Sequence, residues 1–224
     1  MTKTVLTLNK QLESARCSIR YNYILFPNVF DIYPILIKRG FTLPSPLLQQ
    51  IRPGIRFDGK GPIAQKDTLI FECNTDKQVF SLSGNTIKTV CDELNELNKI
   101  MNDMTSFSND KIIFYEIQAG FTFKITEKAI INQFKKYFSS SKLNKNAIKH
   151  FDRKMSLFSL RLFDEKNLPE SPDYFEITIE PHPLPPYNLL NIIVIYRHHK
   201  INEFILFTKE IEKRIIAYIE SLFE

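Results

Sequence analysis

From Arg16 the stretch RCSIRYNYILF alternates polar and apolar positions and sets Cys17, Ile19, Tyr21 and Tyr23 on one side. A period of two is that of a strand with one buried face, so this stretch predicts the first strand. NVFDIYPILIKRG follows as a short helix, with Asn28 or Asp31 as its cap and Gly40 as its stop; Pro34 fits the first turn better if Asp31 is the cap. A connection with Pro44, Pro46, Pro53, Gly54, Gly59, Gly61 and Pro62 leads to TLIFECN and QVFSLSG, two short strands split by Asn74, Thr75 and Asp76, a hairpin pattern. After Gly84 the period changes. Ile87, Val90, Cys91, Leu94, Leu97 and Met101 recur at spacings of three and four, one apolar stripe on a helix of about four turns.

The second half of the chain repeats this order. KIIFYEIQAGFTFKI predicts a long strand, and Thr126 caps a helix with apolar positions Ile130, Ile131, Phe134 and Phe138. SLFSLRLF, YFEITIE and NLLNIIVIYRH predict three strands, and a helix from about Asn202 to Leu222 closes the chain, although EFILFT also reads as the start of a strand. The predicted fold class is therefore α+β, with two similar halves, each an antiparallel sheet covered by a long closing helix. The halves run over residues 1–108 and 109–224, as two units or one continuous domain; the repeat is one of architecture and not of sequence.

This layout resembles a sporadically distributed family of prokaryotic proteins without an established function. The likeness rests on SARCSIRYNYILF, on VFSLSGNTIKTVCDELNELNKI leading into FYEIQAGFTFKI, and on the terminal EKRIIAYIESLFE. It implies an α+β fold with two similar halves and carries over no active-site residue.

Composition narrows the chemistry. At 224 residues, 43% hydrophobic and 25% charged, the chain can bury a core. Six glycines argue against a glycine-rich phosphate cradle, and nineteen phenylalanines with no tryptophan suit an aromatic core. No signal-peptide core or membrane-length apolar run is present in the sequence, which predicts a cytoplasmic protein without a membrane partner. Cys17, Cys73 and Cys91 form neither a disulfide framework nor a zinc knuckle and read as inert buried thiols. No nucleophile elbow occurs, no cofactor is implied, and no catalytic residue is assigned. Asp92, Glu93 and Glu96, and Glu210, Glu212 and Glu220, read as solvated helix faces. An enzyme would need a deep pocket that brings His182, His198 and several carboxylates together.

Two short motifs invite chemistry. PHPLPPY, Pro181 to Tyr187, holds four prolines in seven residues. Such a run suits an aromatic groove, but between two strands it reads as a stiff hairpin connection. RHHK, Arg197 to Lys200, offers imidazoles, yet neighbouring residues on a strand point to opposite faces, so it reads as a surface strand end and not as a metal site.

Charge supplies the candidate binding site. The net charge is +5, and the segment QFKKYFSSSKLNKNAIKHFDRK sets Lys135, Lys136, Lys142, Lys145, Lys149, Arg153 and Lys154 against the single acid Asp152, with Phe134, Tyr137, Phe138 and Phe151 interleaved. This is the surface expected to dock a macromolecular partner, with nucleic acid as the alternative ligand; the bland reading puts Phe134 and Phe138 in the core and leaves solubilising lysines. Arg16, Arg20, Lys38, Arg39, Arg52 and Arg56 form a second basic set. Asp164, Glu165, Glu170, Asp173, Glu176 and Glu180 form an acidic segment that predicts either a homodimer through complementary charge or steering of a protein partner.

Overall fold

The structure is a computed structural model that describes residues 9–24, 29–43, 60–125, 130, 132–136, 145, 149–150, 158–182 and 188–223. Eight strands form one antiparallel sheet: β1 (Asn9–Tyr21), β2 (Lys60–Lys66), β3 (Leu69–Asn74), β4 (Val79–Gly84), β5 (Ile112–Lys124), β6 (Leu160–Phe163), β7 (Tyr174–Pro181) and β8 (Leu189–His198). The helices are α1 (Val29–Lys38), α2 (Ile87–Asn102) and α3 (Ile201–Phe223), with residues 132–136 also helical. The class is α+β, as the periodicity predicts. The strand order is β2-β3-β4-β1-β5-β8-β7-β6. The strands of the two halves therefore belong to one sheet, joined where β1 pairs along β5 from Asn9↔Lys124 to Tyr21↔Ile112.

Alternation decides which face is covered. Cys17 and Ile19 of β1 lie opposite Ile117 and Tyr115 of β5, and Ala119 and Phe121 of β5 lie opposite Val194 and Ile192 of β8. All are buried, and they form one core with Phe71, Phe80, Leu82, Ile177 and Ile179. Helix α2 packs on β1 and β4, α3 packs on β5 and β8, and the two helices touch each other. The stripe Ile87, Val90, Cys91, Leu94, Leu97 and Met101 is buried in full, and Thr86 caps α2 by accepting the Thr89 backbone N–H at 3.1 Å. Gly84 permits this contact: a Cβ there would lie 2.8 Å from Leu69 Cδ2 and 3.0 Å from Val90 Cγ2.

Several boundaries differ from expectation. β1 begins at Asn9, and its pairing with β5 carries it past the polar Gln11 and Ser14. Helix α1 begins at Val29, so Asp31 lies inside it and Pro34 is interior. Gly40 ends it at φ 83°, with its N–H and that of Phe41 closing on Ile37 and Leu36. β2 falls in the stretch read as a connection. It contains Gly61 and Pro62 and is the outer strand of the sheet, where a proline costs no ladder bond. EFILFT is helical: Phe204 and Thr208 face inward with Ile211, Ile215 and Ile219, and the helical period wins over local strand propensity.

Candidate functional site

The sheet has two different flanks. Beyond β2 and β3 the chain closes over the edge. Ile32 and Leu36 of α1 are fully buried, Phe41 meets Phe71 edge-on at 6.5 Å, and Thr42 exchanges backbone hydrogen bonds with Gln65 of β2. Glu93 of α2, 8% exposed, joins this closure by accepting from Arg39 Nε at 2.5 Å and Lys66 Nζ at 3.2 Å. Burial pushes its carboxyl upward, but the hydrogen bonds from Arg39 and Lys66 prevail and hold it below the usual value. The expectation that Glu93 lies on a solvated face is thus corrected: α1 and the β2–β3 hairpin cover a helix side that sequence alone leaves open. Asp92 and Glu96 do stay at the surface, paired with Lys88 and Lys99.

The opposite flank is a cleft of about 540 Å³ between α3 and the β6–β7 pair. Leu162, Phe175, Ile177, Phe207, Ile211 and Ile215 form its apolar walls, with Asp164 and Arg214 at its rim. Its floor is aromatic. Phe207 stacks on Tyr196 at 4.0 Å and meets Phe175 edge-on at 5.8 Å, and the Arg214 guanidinium lies 5.0 Å from the Phe207 ring. Leu162 is 42% and Phe163 55% exposed on β6, the last strand in the sheet order. No sequence signal marked this place, because the cleft is assembled from three elements whose individual apolar residues read as core.

The basic segment is described at Lys135, Lys136, Lys145 and Lys149, all exposed; Lys142, Arg153 and Lys154 lie outside the described residues. Phe134 is buried with Leu160, Ile179, Leu190, Leu222 and Phe223 around it, so this aromatic is core and offers no stacking face. Phe138, Tyr137 and Phe151 lie outside the described residues. The second basic set divides: Arg16 and Arg20 alternate with the buried residues of β1 and so lie on the sheet face opposite Arg39, while Arg52 and Arg56 lie outside the described residues. Half of the acidic segment, Asp164, Asp173 and Glu176, is engaged within the chain. Glu176 is buried and takes both nitrogens of a bidentate Arg161 at 2.8 Å, and Asp164 accepts from Lys166 N–H and Asn167.

His182 and His198 belong to opposite ends of the β7–β8 pair, about 30 Å apart along an extended strand of this length. The pocket an enzyme reading would require from these two histidines is not formed. Pro181 closes β7 opposite Leu190, which places PHPLPPY in the β7–β8 connection; residues 183–187 lie outside the described residues. The three thiols are free and buried. Burial pushes Cys73 up to about 12, and the hydrogen bond with Cys91, together with burial, raises Cys17 well above its ordinary value.

The RHHK motif is a surface strand end, as expected, but its two imidazoles do not part to opposite faces. β8 ends at His198, and the turn through His199 and Lys200 into α3 brings the second imidazole back to the side of the first. The rings stack at 4.7 Å with 17° between their planes. Asp173, just before β7, meets them: its carboxylate lies 2.7 and 2.9 Å from His199 Nδ1, accepts the His199 backbone N–H at 3.0 Å, and has His198 Nε2 at 3.9 Å. Burial pushes the Asp173 carboxyl upward, but the His199 side-chain and backbone hydrogen bonds hold it below the usual carboxylate value.

No protein-family model matches the chain, and no curated protein matches it. Among the described residues, no helix is long and apolar enough to cross a membrane.

Proposed function

We propose that this chain is a non-enzymatic binding protein that docks an extended apolar segment of a protein partner along β6 and in the adjoining cleft. The observation that carries this reading is the aromatic-floored cleft beside an edge strand whose Leu162 and Phe163 side chains are exposed. An edge strand offers backbone donors and acceptors to an added strand, and a neighbouring pocket takes alternate side chains of that strand. The buried Phe134 sits beside Leu160 at the start of β6, the end away from Phe163, and so sets Lys135 and Lys136 about one short strand's length from the cleft. The basic segment from Lys135 to Lys154 then serves as the charged flank of the interface and favours a partner with acidic residues beside its apolar ones.

We also read the strand order as an internal duplication, which deepens this proposal. Outward from the centre the sheet runs β1, β4, β3, β2 on one side and β5, β8, β7, β6 on the other, and along the chain α2 follows β4 and α3 follows β8. This supports a chain built from two copies of one strand-helix-three-strand-helix unit. One copy keeps its outer flank closed and the other uses it for binding.

Selection of peptides from a random displayed library against the full chain tests the proposal. The expected binders alternate apolar residues, carry acidic flanks and lose about tenfold or more in affinity, about 1.4 kcal/mol, against L162D/F163D. Peptides that bind this variant as well as the wild type would remove the cleft from the argument. A second reading, nucleic-acid binding, is favoured by the exposure of Lys135, Lys136, Lys145 and Lys149. Fluorescence anisotropy with labelled single- and double-stranded DNA and RNA separates the two: phosphate contacts weaken steeply with salt, an apolar interface with a charged rim far less.

A further inference from the structure

We propose that Asp173, His198 and His199 form a binding site for a borderline divalent transition-metal ion, with Zn²⁺ as its reference occupant. One ligand atom from each residue lies within 4.8 Å of the others. The site is a product of register. Tyr174 pairs with Arg197, so the next positions outward are Asp173 and His198, and the turn into α3 adds His199. Arg197 also donates to the Pro169 carbonyl and thereby ties the loop before Asp173 to β8.

To share one ion the two imidazoles, stacked with 17° between their planes, turn so that both nitrogens point at it beside the carboxylate. Two ligands bound tetrahedrally at about 2.0–2.1 Å from zinc are separated by about 3.3 Å. Asp173 Oδ1 lies 2.7 Å from His199 Nδ1 and 3.9 Å from His198 Nε2, values that bracket this separation. The ion takes the place of the proton between His199 Nδ1 and the carboxylate, so His199 binds it as the tautomer that carries its proton on Nε2. His198 has its supporting partner in place: Nδ1 lies 3.3 Å from the Lys200 carbonyl, so the tautomer that leaves Nε2 free for metal can donate from Nδ1 to that oxygen. Without metal, Nδ1 can instead accept the Lys200 N–H at 3.0 Å.

The donor set decides the class of ion. Two imidazoles and one carboxylate suit Zn²⁺, Co²⁺, Ni²⁺ or Cu²⁺, whereas Ca²⁺ and Mg²⁺ call for more oxygen donors. Three protein ligands leave a coordination position for water or for a donor from a partner. The bound ion links the start of β7, the end of β8 and the entry to α3, independently of what occupies the cleft.

Chelator-treated full-length protein titrated with zinc chloride by calorimetry, and with cobalt chloride by visible absorption, tests this assignment. The expected result is one saturable ion per chain, cobalt d–d bands that zinc displaces, and weakening by about tenfold or more in each of D173N, H198Q and H199Q. The double variant H150Q/H182Q, which removes the remaining histidines, should bind as the wild type does. Should a ligand variant fail to fold, wild-type protein still gives the answer: Zn²⁺ should protect His198 and His199 from diethylpyrocarbonate while His150 and His182 react unchanged. Absence of saturable binding, full binding in the ligand variants, loss in H150Q/H182Q, or unaltered modification of His198 and His199 would each overturn the assignment.

Discussion

The two flanks of the sheet solve the same problem in different ways. An outer strand presents unpaired backbone groups and the apolar side chains of its inner face. At the β2 flank, α1, Phe41 and the Thr42–Gln65 bridge cover that surface, and the Arg39–Glu93–Lys66 cluster seals it. At the β6 flank, Leu162, Phe163, Phe175 and Phe207 border a cleft instead. Aromatic residues thus fill the core where a helix lies over them and line an open cleft at the other flank, the surface proposed for docking.

Matched substitutions break or sharpen this contrast. The largest effect is expected at Phe71, 1% exposed beneath the closed flank: F71A should cost about 3–5 kcal/mol in chemical denaturation, as expected for a large aromatic removed from a filled core. Equal loss in F163A would erase the distinction between the flanks.

Next comes E93Q, which leaves Arg39 and Lys66 without their carboxylate and should cost about 2–3 kcal/mol at neutral pH, less than for a fully buried pair because both cations are partly exposed. Because the folded state lowers the pKa of Glu93, its contribution is present above the unfolded value of about 4.3 and fades as pH falls through the folded one. The stability gap between wild type and E93Q should therefore close in acid; a gap constant down to pH 3 would argue that ionisation of Glu93 is not its source.

At the open flank F163A, at a residue 55% exposed, should change stability by no more than about 0.5 kcal/mol while weakening peptides selected for the cleft. The smallest effect is expected from K142Q/K145Q/K149Q: melting within about 0.5 kcal/mol of wild type, with a modest loss of affinity for acidic peptides. A large loss confined to nucleic acid, with a steep salt slope, would move the site from the cleft to the lysines.

Periodicity made much of the scaffold legible. Cys17, Ile19 and Tyr21 at period two, and Ile87 to Met101 at spacings of three and four, placed β1 and α2 with the correct buried faces, but Tyr23, read on the same side, lies past the end of β1 and is 60% exposed. β2 escaped because Gly61 and Pro62 look like breakers, and an outer strand tolerates what a central strand cannot. Glu93 escaped because local pattern shows which side of a helix is apolar, not which polar residue another element will cover. The histidine pair escaped because the alternation rule holds only within the strand, and β8 stops between His198 and His199.

By itself the sequence determined the α+β class, the existence of most elements and their inward faces, since side-chain geometry within one element follows from backbone period alone. Only the tertiary structure decided that the strands of both halves join through β1 and β5, that one flank is sealed and the other cleft, and that Asp173 meets His198 and His199. Those outcomes depend on contacts between residues far apart in the chain, here 25 and 26 positions for the last of them, and local period carries no record of which distant element comes to lie opposite.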